Sequence, residues 1–469
     1  MSARRRPTWI WGLAALTAAG AAARFATLSV QSFWLDEAVT HQLVTEPLRS
    51  MLRAIPHSES TPPLYYVLAW AWVRLFGAGE AGLRSLSALI GTATIVVLAL
   101  IARRVAGERA GVAAAALAAT NPLLIWYSQE ARAYMLLVLL SALTVWCLVR
   151  SDVRGWALAA ALALATHYFA VFVVVPEMVW LAGTRAGRSR EVARSLLGVM
   201  LVAGALLPLA VVQAGGDRAA FISSTGLGSR VAAVPKQFLI GYATPGATAL
   251  TVLAAAAALG LALALRAADR GLLALAAVAV GVPFLLAVAG ADYLTTRNVI
   301  SAMVPLVVLA GVASSRTRAG PAIVAALCAV GAIAVVGVEL SPADQRDDWR
   351  GAALAVGPAA VGPRVLVVDP ASGVPALGLY IRVRRLTPAS APIVATREID
   401  VVDVSRDPPY PTPALLVALT SFTASVVHTD TYTVVRYRAV TAHPVAESFA
   451  QLAALALIPA SGPGVLLGG

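Results

Sequence analysis

Apolar residues recur along the chain in stretches of roughly 18 to 25, separated by short arginine-bearing loops, and this is the length at which a helix crosses about 30 Å of hydrocarbon. The stretches fall at 84–102, 110–127, 133–150, 155–168, 169–184, 195–213, 247–266, 271–290, 299–315 and 319–339. With the apolar run that follows MSARRRP they predict about eleven transmembrane helices. That first run reads either as a signal anchor or as a cleaved signal peptide with small residues near Ala21 to Ala23. Residues 29–83 are too polar and proline-rich to span. Their one apolar run, Leu64 to Phe76, is short for a crossing and predicts an interfacial helix with Tyr65, Tyr66, Trp70 and Trp72 at headgroup level. The apolar run around His167 and Tyr168 reads as two short helices, because one long helix would invert every later loop.

After Ser341 the period changes. DQRDDWRGAALAV predicts a helix, and RVLVVDP, PALLVALTS and TYTVVRYRAV predict strands. The tail AESFAQLAALALIPASGPGVLLGG is broken by proline and glycine, which predicts a helix packed on this domain more than a terminal crossing. The expected organisation is a polytopic α-helical membrane domain over 1–340, with 29–83 as a large first extracytoplasmic loop, and a soluble extracytoplasmic α/β domain over 341–469.

Composition agrees: of 469 residues 59% are hydrophobic and 13% charged, which excludes a water-soluble protein. The balance of 36 basic to 24 acidic residues gives a net charge of +12, but the arginines concentrate in short loops, as in Arg4 to Arg6, Arg103, Arg104 and Arg109, Arg185 to Arg194, and Arg316 and Arg318. That placement follows the positive-inside rule, so the charge reports a cytoplasmic N-terminus and loop set and gives no reason to expect nucleic acid. Cys147 and Cys328 sit in separate apolar stretches and offer neither a disulfide framework nor a metal cluster.

The groups able to do chemistry fall at the outer ends of the expected helices. In FWLDEA, Asp36 and Glu37 follow the first crossing, and adjacent carboxylates near a bilayer raise one of the two pKa values, which suits a general base. The plain alternative is a helix start whose acids meet the helix dipole. In YSQEARAYM, Glu130 and Arg132 sit between two apolar helices and would otherwise only pair with each other. His57 and Glu59 precede Pro62 and Pro63, His167 and Tyr168 end a helix, Lys236 is the only lysine, and DYLTTRN carries Asp292, Arg297 and Asn298. Soluble nucleotide sugars are cytoplasmic and no Walker or dinucleotide fingerprint is present. An outward-facing site would therefore draw its activated group from a lipid such as a polyprenyl-phosphate sugar. Arg132 and Arg297 would neutralise the leaving phosphate. One carboxylate would take the acceptor hydroxyl's proton, with inversion at the sugar carbon.

Four segments, WLDEA, STPPLYYVLAWAWVRLFG, GLRSLSALIGTATIVVLALIARRVAG and NPLLIWYSQEARAYML, together resemble the C-type (GT-C) membrane glycosyltransferases. The similarity is closest to family 39 and its bacterial relatives, the protein O-mannosyltransferases and the lipid A aminoarabinose transferases. It covers about the first 180 residues well. Beyond them only RNVISAMVPL and QRDDWRGAA look familiar.

The resemblance implies a GT-C fold. It makes Asp36 the catalytic base or the group that orients the acceptor, with Glu37 beside it and Glu130 assisting. It also implies Arg297 near the lipid phosphate and Glu59, with His57, close to the site, while the residues themselves put Arg132 and Lys236 forward for the phosphate and Tyr65, His167 and Tyr168 around the substrate. The lysine that some relatives carry before the proline pair is Thr61 here, so phosphate contact must come from elsewhere. Asp36, Glu59 and Glu130 are the oxygen ligands available to a Ca²⁺ or Mg²⁺ ion, although no cofactor is required by the sequence. The implied partners are membrane lipids, a polyprenyl-phosphate donor of mannose, arabinose, galactose or aminoarabinose type, and a cell-envelope glycan, lipid or protein acceptor. The rival expectation is a transporter or lipid flippase, which would place ionisable groups at the bilayer midplane and show internal repeats.

Overall fold

The apolar stretches fold as helices in a computed structural model that describes residues 8–183, 189–216, 220–358, 364–385, 393–404, 422–446 and 464–468. In chain order these are α1 (Thr8–Phe25), α2 (Leu35–Thr45), α3 (Leu48–Ser58), α4 (Leu64–Phe76), α5 (Glu80–Ala106), α6 (Glu108–Thr120), α7 (Pro122–Ser128), α8 (Tyr134–Val149) and α9 (Val153–Thr166). They continue with α10 (Val171–Gly183), α11 (Arg190–Ala214), α12 (Ala220–Ser223), α13 (Leu227–Ile240), α14 (Ala247–Ala262), α15 (Arg270–Val288), α16 (Met303–Ser314) and α17 (Gly320–Leu340). Each expected crossing coincides with one of these helices or with a bent pair. Among the described residues, by length and composition alone, five helices qualify as spans, or six when α6 and α7, bent by 60°, count as one. The run around His167 is two helices, as expected, with His167 capping the end of α9.

The chain divides into two compact units. Unit one, Met1–Leu28 with Leu43–Gly337, is the helical one. Little hydrophobic drive exists between helices in lipid, so close approach depends on small residues. A Cβ on Gly311 would lie 2.7 Å from the Ala110 carbonyl oxygen, and one on Gly111 would lie 2.9 Å from that of Ala99. At Gly331 the distance to the Thr120 carbonyl oxygen would be 2.4 Å. Gly331→Ala is therefore expected to force α17 off α6 and lower stability by about 1–3 kcal/mol, read as a lower melting temperature in detergent; an unchanged value would mean the helices are free to part. The outer helices expose what the inner ones bury: Leu201, Leu207 and Val211 on α11 are 63–71% exposed, a face suited only to lipid.

The bend between α6 and α7 has a local cause. Pro122 lacks an N–H and cannot continue α6, and the Asn121 side chain starts α7 by accepting from the Leu124 N–H at 3.0 Å. The carbonyls freed at the break are met by Arg24 from α1, which is fully buried. Its Nη2 donates to the Ala118 carbonyl at 2.8 Å, its Nη1 to those of Ala119 and Gly20 at 3.2 and 2.9 Å, and its Nε to Ser128 Oγ at 3.0 Å.

One expectation about the first loop is corrected. Tyr65 and Tyr66 do not stand at headgroup level: both are fully buried within the unit, and their hydroxyls bond to Ser87 and Glu59 respectively. Their hydroxyls require partners that the interior of α4 and its neighbours supplies. Trp70 and Trp72, on the remaining face, are half-buried.

Unit two, Ser29–Gln42 with Val338–Gly469, contains α18 (Trp349–Val356), the short α19 (Val374–Leu377) and a six-stranded sheet. Its strands are β1 (Arg364–Asp369), β2 (Val383–Arg385), β3 (Ile393–Asp403), β4 (Thr423–His428), β5 (Thr433–Ala446) and β6 (Gly464–Gly468), in the order β2-β6-β1-β3-β5-β4. Only β1 and β3 pair in parallel. RVLVVDP is thus the buried strand that its unbroken apolar run predicts, and TYTVVRYRAV lies largely in β5. PALLVALTS falls outside the described residues. Of the tail, expected as a helix, residues 447–463 fall outside the described residues, and the segment GVLLG is a strand that closes on β1, where its β-branched and leucine residues find a ladder of backbone partners.

The boundary expected at 340/341 lies close to Val338, and residues 29–42 group with the second unit. The QRDDWR segment holds them there. Arg350 donates to the Ser29 and Val30 carbonyls at 3.2 and 2.6 Å, the Arg346 N–H to Gln31 Oε1 at 3.1 Å, and Ser32 Oγ to the Asp347 carbonyl at 2.8 Å. The Phe33 N–H donates to Tyr380 Oη at 2.8 Å, and Ala38 is buried in the core around Trp349 and Leu366.

Candidate active site

Within the helical unit a polar group forms where α4, the α7–α8 turn and the end of α3 meet. Glu59, 2% exposed, caps the end of α3. Arg132 Nη1 lies 3.1 and 3.0 Å from its two oxygens. Tyr66 Oη donates to Glu59 Oε2 at 2.6 Å and stands 3.1 Å from Thr61 Oγ1. Burial holds the Tyr66 hydroxyl well above its ordinary value, with Arg132 pulling the other way, so it stays protonated and donates. The loop that joins these residues is fixed from α11: Gln213 Nε2 donates to the Ile55 and Thr61 carbonyls at 3.2 and 3.1 Å, and Tyr168 Oη donates to Gln213 Oε1 at 2.7 Å.

A second set of groups stands around the same turn. His167, 3% exposed, accepts from the Phe169 N–H at Nδ1 and lies within the fields of both Arg132 and Arg297. Its ring is 5.7 Å from that of Tyr134, which is 4.8 Å from that of Tyr127. The hydroxyls of Tyr127 and Tyr242 are hydrogen-bonded, and both feel Glu130 and Arg297. Glu130 is 1% exposed in the turn before α8, and Arg297 is half-buried on the 3₁₀ helix Thr296–Ala302. Two guanidinium groups, a histidine and a run of tyrosines thus line one region. The same region holds the buried carboxylates of Glu59 and Glu130, so it is a mixed-charge polar group with aromatic faces.

The structure gathers some of the expected residues and separates others. Glu59, Arg132, His167, Glu130 and Arg297 belong to the group just described, and Tyr168 joins it through Gln213. Tyr65 is buried behind it on Ser87. His57 is exposed on the last turn of α3, and Lys236 is half-buried on α13. Asp292, singled out with Arg297, is instead bidentate to Arg230 at 2.5 and 2.6 Å, and that hydrogen bonding holds its carboxyl below the usual range.

Asp36 and Glu37 stand in the first turn of α2, within the second unit. Glu37 is fully buried, with Oε2 3.5 Å from the Trp34 N–H, while Asp36 beside it is half-buried. The helix N-terminus stabilises both charges. Among the described residues no group of three His, Cys, Asp or Glu side chains is placed to hold a metal ion, and the Glu59 carboxylate is already shared by Arg132 and Tyr66. Sequence reasoning passed over Tyr127, Tyr134, Tyr242 and Gln213. Tyr127 and Tyr134, which flank SQEARA, were the available signal, because they adjoin its charges in the sequence.

Residues 60–213 match the family model for dolichyl-phosphate-mannose-protein mannosyltransferase. No curated protein matches the sequence. Among solved structures, ArnT from Cupriavidus metallidurans in the apo state is similar over 92% of this chain and 98% of its own, at 15% identity and a TM-score of 0.58. The same protein bound to undecaprenyl phosphate is similar over the same shares at 16% identity and a TM-score of 0.54. The alignment takes in the helices and the C-terminal sheet alike, and with the match at 60–213 it makes this chain a multi-pass membrane protein of the C-type (GT-C) glycosyltransferase fold.

Proposed function

We propose that the protein transfers a sugar from a polyprenyl-phosphate donor to a hydroxyl of a cell-envelope glycan, lipid or protein on the outer face of the plasma membrane. The observation that carries the reading is the buried polar group in which Arg132 is held by Glu59, whose other donor is Tyr66, beside the ring series His167, Tyr134 and Tyr127 and the Tyr127–Tyr242 hydroxyl pair. Support for a lipid-phosphate donor comes from the capture of ArnT with undecaprenyl phosphate and from the dolichyl-phosphate-mannose named for the family matched at 60–213. The arginine loops, if cytoplasmic, put Glu59, Glu130 and Arg297 at outer helix ends.

In this reading the acceptor oxygen attacks the anomeric carbon, the bond from that carbon to the phosphate oxygen breaks, and Arg132 and Arg297 take up the charge on the leaving phosphate. Asp36 receives the hydroxyl proton, so one displacement inverts the carbon. Asp36 suits this role better than Glu37, because it is the partly exposed member of the pair. Glu37 orients the helix start.

The test is transfer from a panel of radiolabelled polyprenyl-phosphate sugars to a membrane acceptor fraction by the purified protein, with and without Ca²⁺ or Mg²⁺. Product from one donor supports the reading, and no product from any donor by folded protein counts against it. Arg297→Ala is expected to raise the KM for the lipid donor by roughly 10- to 100-fold, the loss of a hydrogen bond to a charged group, with a smaller change in kcat. An unchanged KM would remove Arg297 from the phosphate site.

A further inference from the structure

Helix α3 carries a feature that the transfer reaction leaves unused. Arg49, Arg53 and His57 recur at every fourth position, so they share one side of the helix, and all three are exposed. The opposite side buries Met51 and Ile55 in the helical unit, while Leu52, on the flank, is 41% exposed. No acidic residue lies within α3. Two arginines one turn apart repel each other unless a counter-charge is supplied, and no acidic residue of α3 supplies it.

The helix is also anchored at a defined depth. Gln213, near the end of α11, donates to the Ile55 carbonyl at 3.2 Å. Only 6% of the apolar window of α11 is buried, so α11 is a lipid-facing span and its end marks the edge of the hydrocarbon. The end of α3 is tied to that edge. An amphipathic helix at the interface with a basic outer face is the arrangement that binds anionic lipid, and the arginine fork matches two phosphate oxygens.

We propose that the Arg49–Arg53–His57 stripe is a docking surface for the headgroups of anionic phospholipids in the surrounding leaflet. Each arginine contributes about 1 kcal/mol, or roughly fivefold in affinity, and the stripe keeps a shell of anionic lipid beside the Glu59 end of α3. The inference does not rest on the catalytic reading.

The experiment is native mass spectrometry of the full-length protein carried from nanodiscs of mixed phosphatidylcholine and phosphatidylglycerol, scoring the phosphatidylglycerol retained. Wild type is expected to prefer phosphatidylglycerol, and the preference should weaken as salt is raised. The double variant Arg49→Gln, Arg53→Gln should lose roughly 25-fold in apparent affinity, as two arginine contributions, while Arg49→Lys, Arg53→Lys retains most of it. A salt-independent preference in wild type, or equal retention by wild type and the glutamine variant, would overturn the proposal. So would a lysine variant as impaired as the glutamine one, because charge would then not be the cause. If the double glutamine variant fails to fold, the single variants Arg49→Gln and Arg53→Gln, each expected to lose roughly fivefold, decide the matter, and retention equal to wild type in both would overturn the proposal.

Discussion

If Asp36 is the base proposed above, Asp36→Asn is expected to lower the rate of sugar transfer by about 10²–10⁴, the range a positioned general base contributes, while protein yield and the KM for the lipid donor stay as in wild type. The substitution keeps the shape and removes the carboxylate's charge and with it the ability to take a proton. Its structural cost is small: Asp36 is half-buried at the start of α2, where a carboxylate gains about 0.3–1 kcal/mol from the helix dipole. Initial rates under saturating donor measure the effect, with size-exclusion profiles to verify folding. Wild-type activity in this variant would remove the base assignment. Loss of activity in Glu37→Gln combined with an active Asp36→Asn would move the base to Glu37, and the buried position of Glu37 would then need to open during the reaction.

Arg24→Met destabilises the helical unit by about 3 kcal/mol or more, since several carbonyls and a hydroxyl lose a charged donor at once and no water replaces it. The effect is largest at the α6–α7 bend. There the Ala118 and Ala119 carbonyls have no continuing helix to bond, because Pro122 interrupts it. Arg24→Lys should recover only part of the loss, as an ammonium group cannot reach Ser128, Gly20 and the α6 carbonyls together. Melting curves of the two variants in detergent provide the comparison. A methionine variant as stable as wild type would show that the bend is held by Asn121 and Pro122 without the arginine.

Much of the architecture was legible along the chain. RVLVVDP could only be a buried strand, and the apolar stretches lie where helices form, because periodicity and length report which element a segment adopts and how much of it avoids water. The motifs WLDEA and SQEARAY marked the two loops where acidic groups gather. Other features were hidden in plain composition. Tyr65 and Tyr66 read as interfacial residues, yet they turn inward, since a single apolar run does not say which of its faces meets protein and which meets lipid. Arg24 stands near the end of the first apolar helix, and what it does appears only when the broken end of α6 lies beside it.

The same distinction governs the site. The sequence by itself determined a polytopic helical protein with a terminal α/β segment and charges held at helix ends, because these follow from local hydropathy and from the cost of placing charge in hydrocarbon. Only the tertiary structure decided the partners. It put Arg132 on Glu59, 73 residues away, Asp292 on Arg230, and Gln31 and Ser32 on QRDDWR more than 300 residues later. Such pairings depend on which helices and strands pack side by side. That choice is made by summed side-chain fit over the whole core, and no local window of the chain contains it.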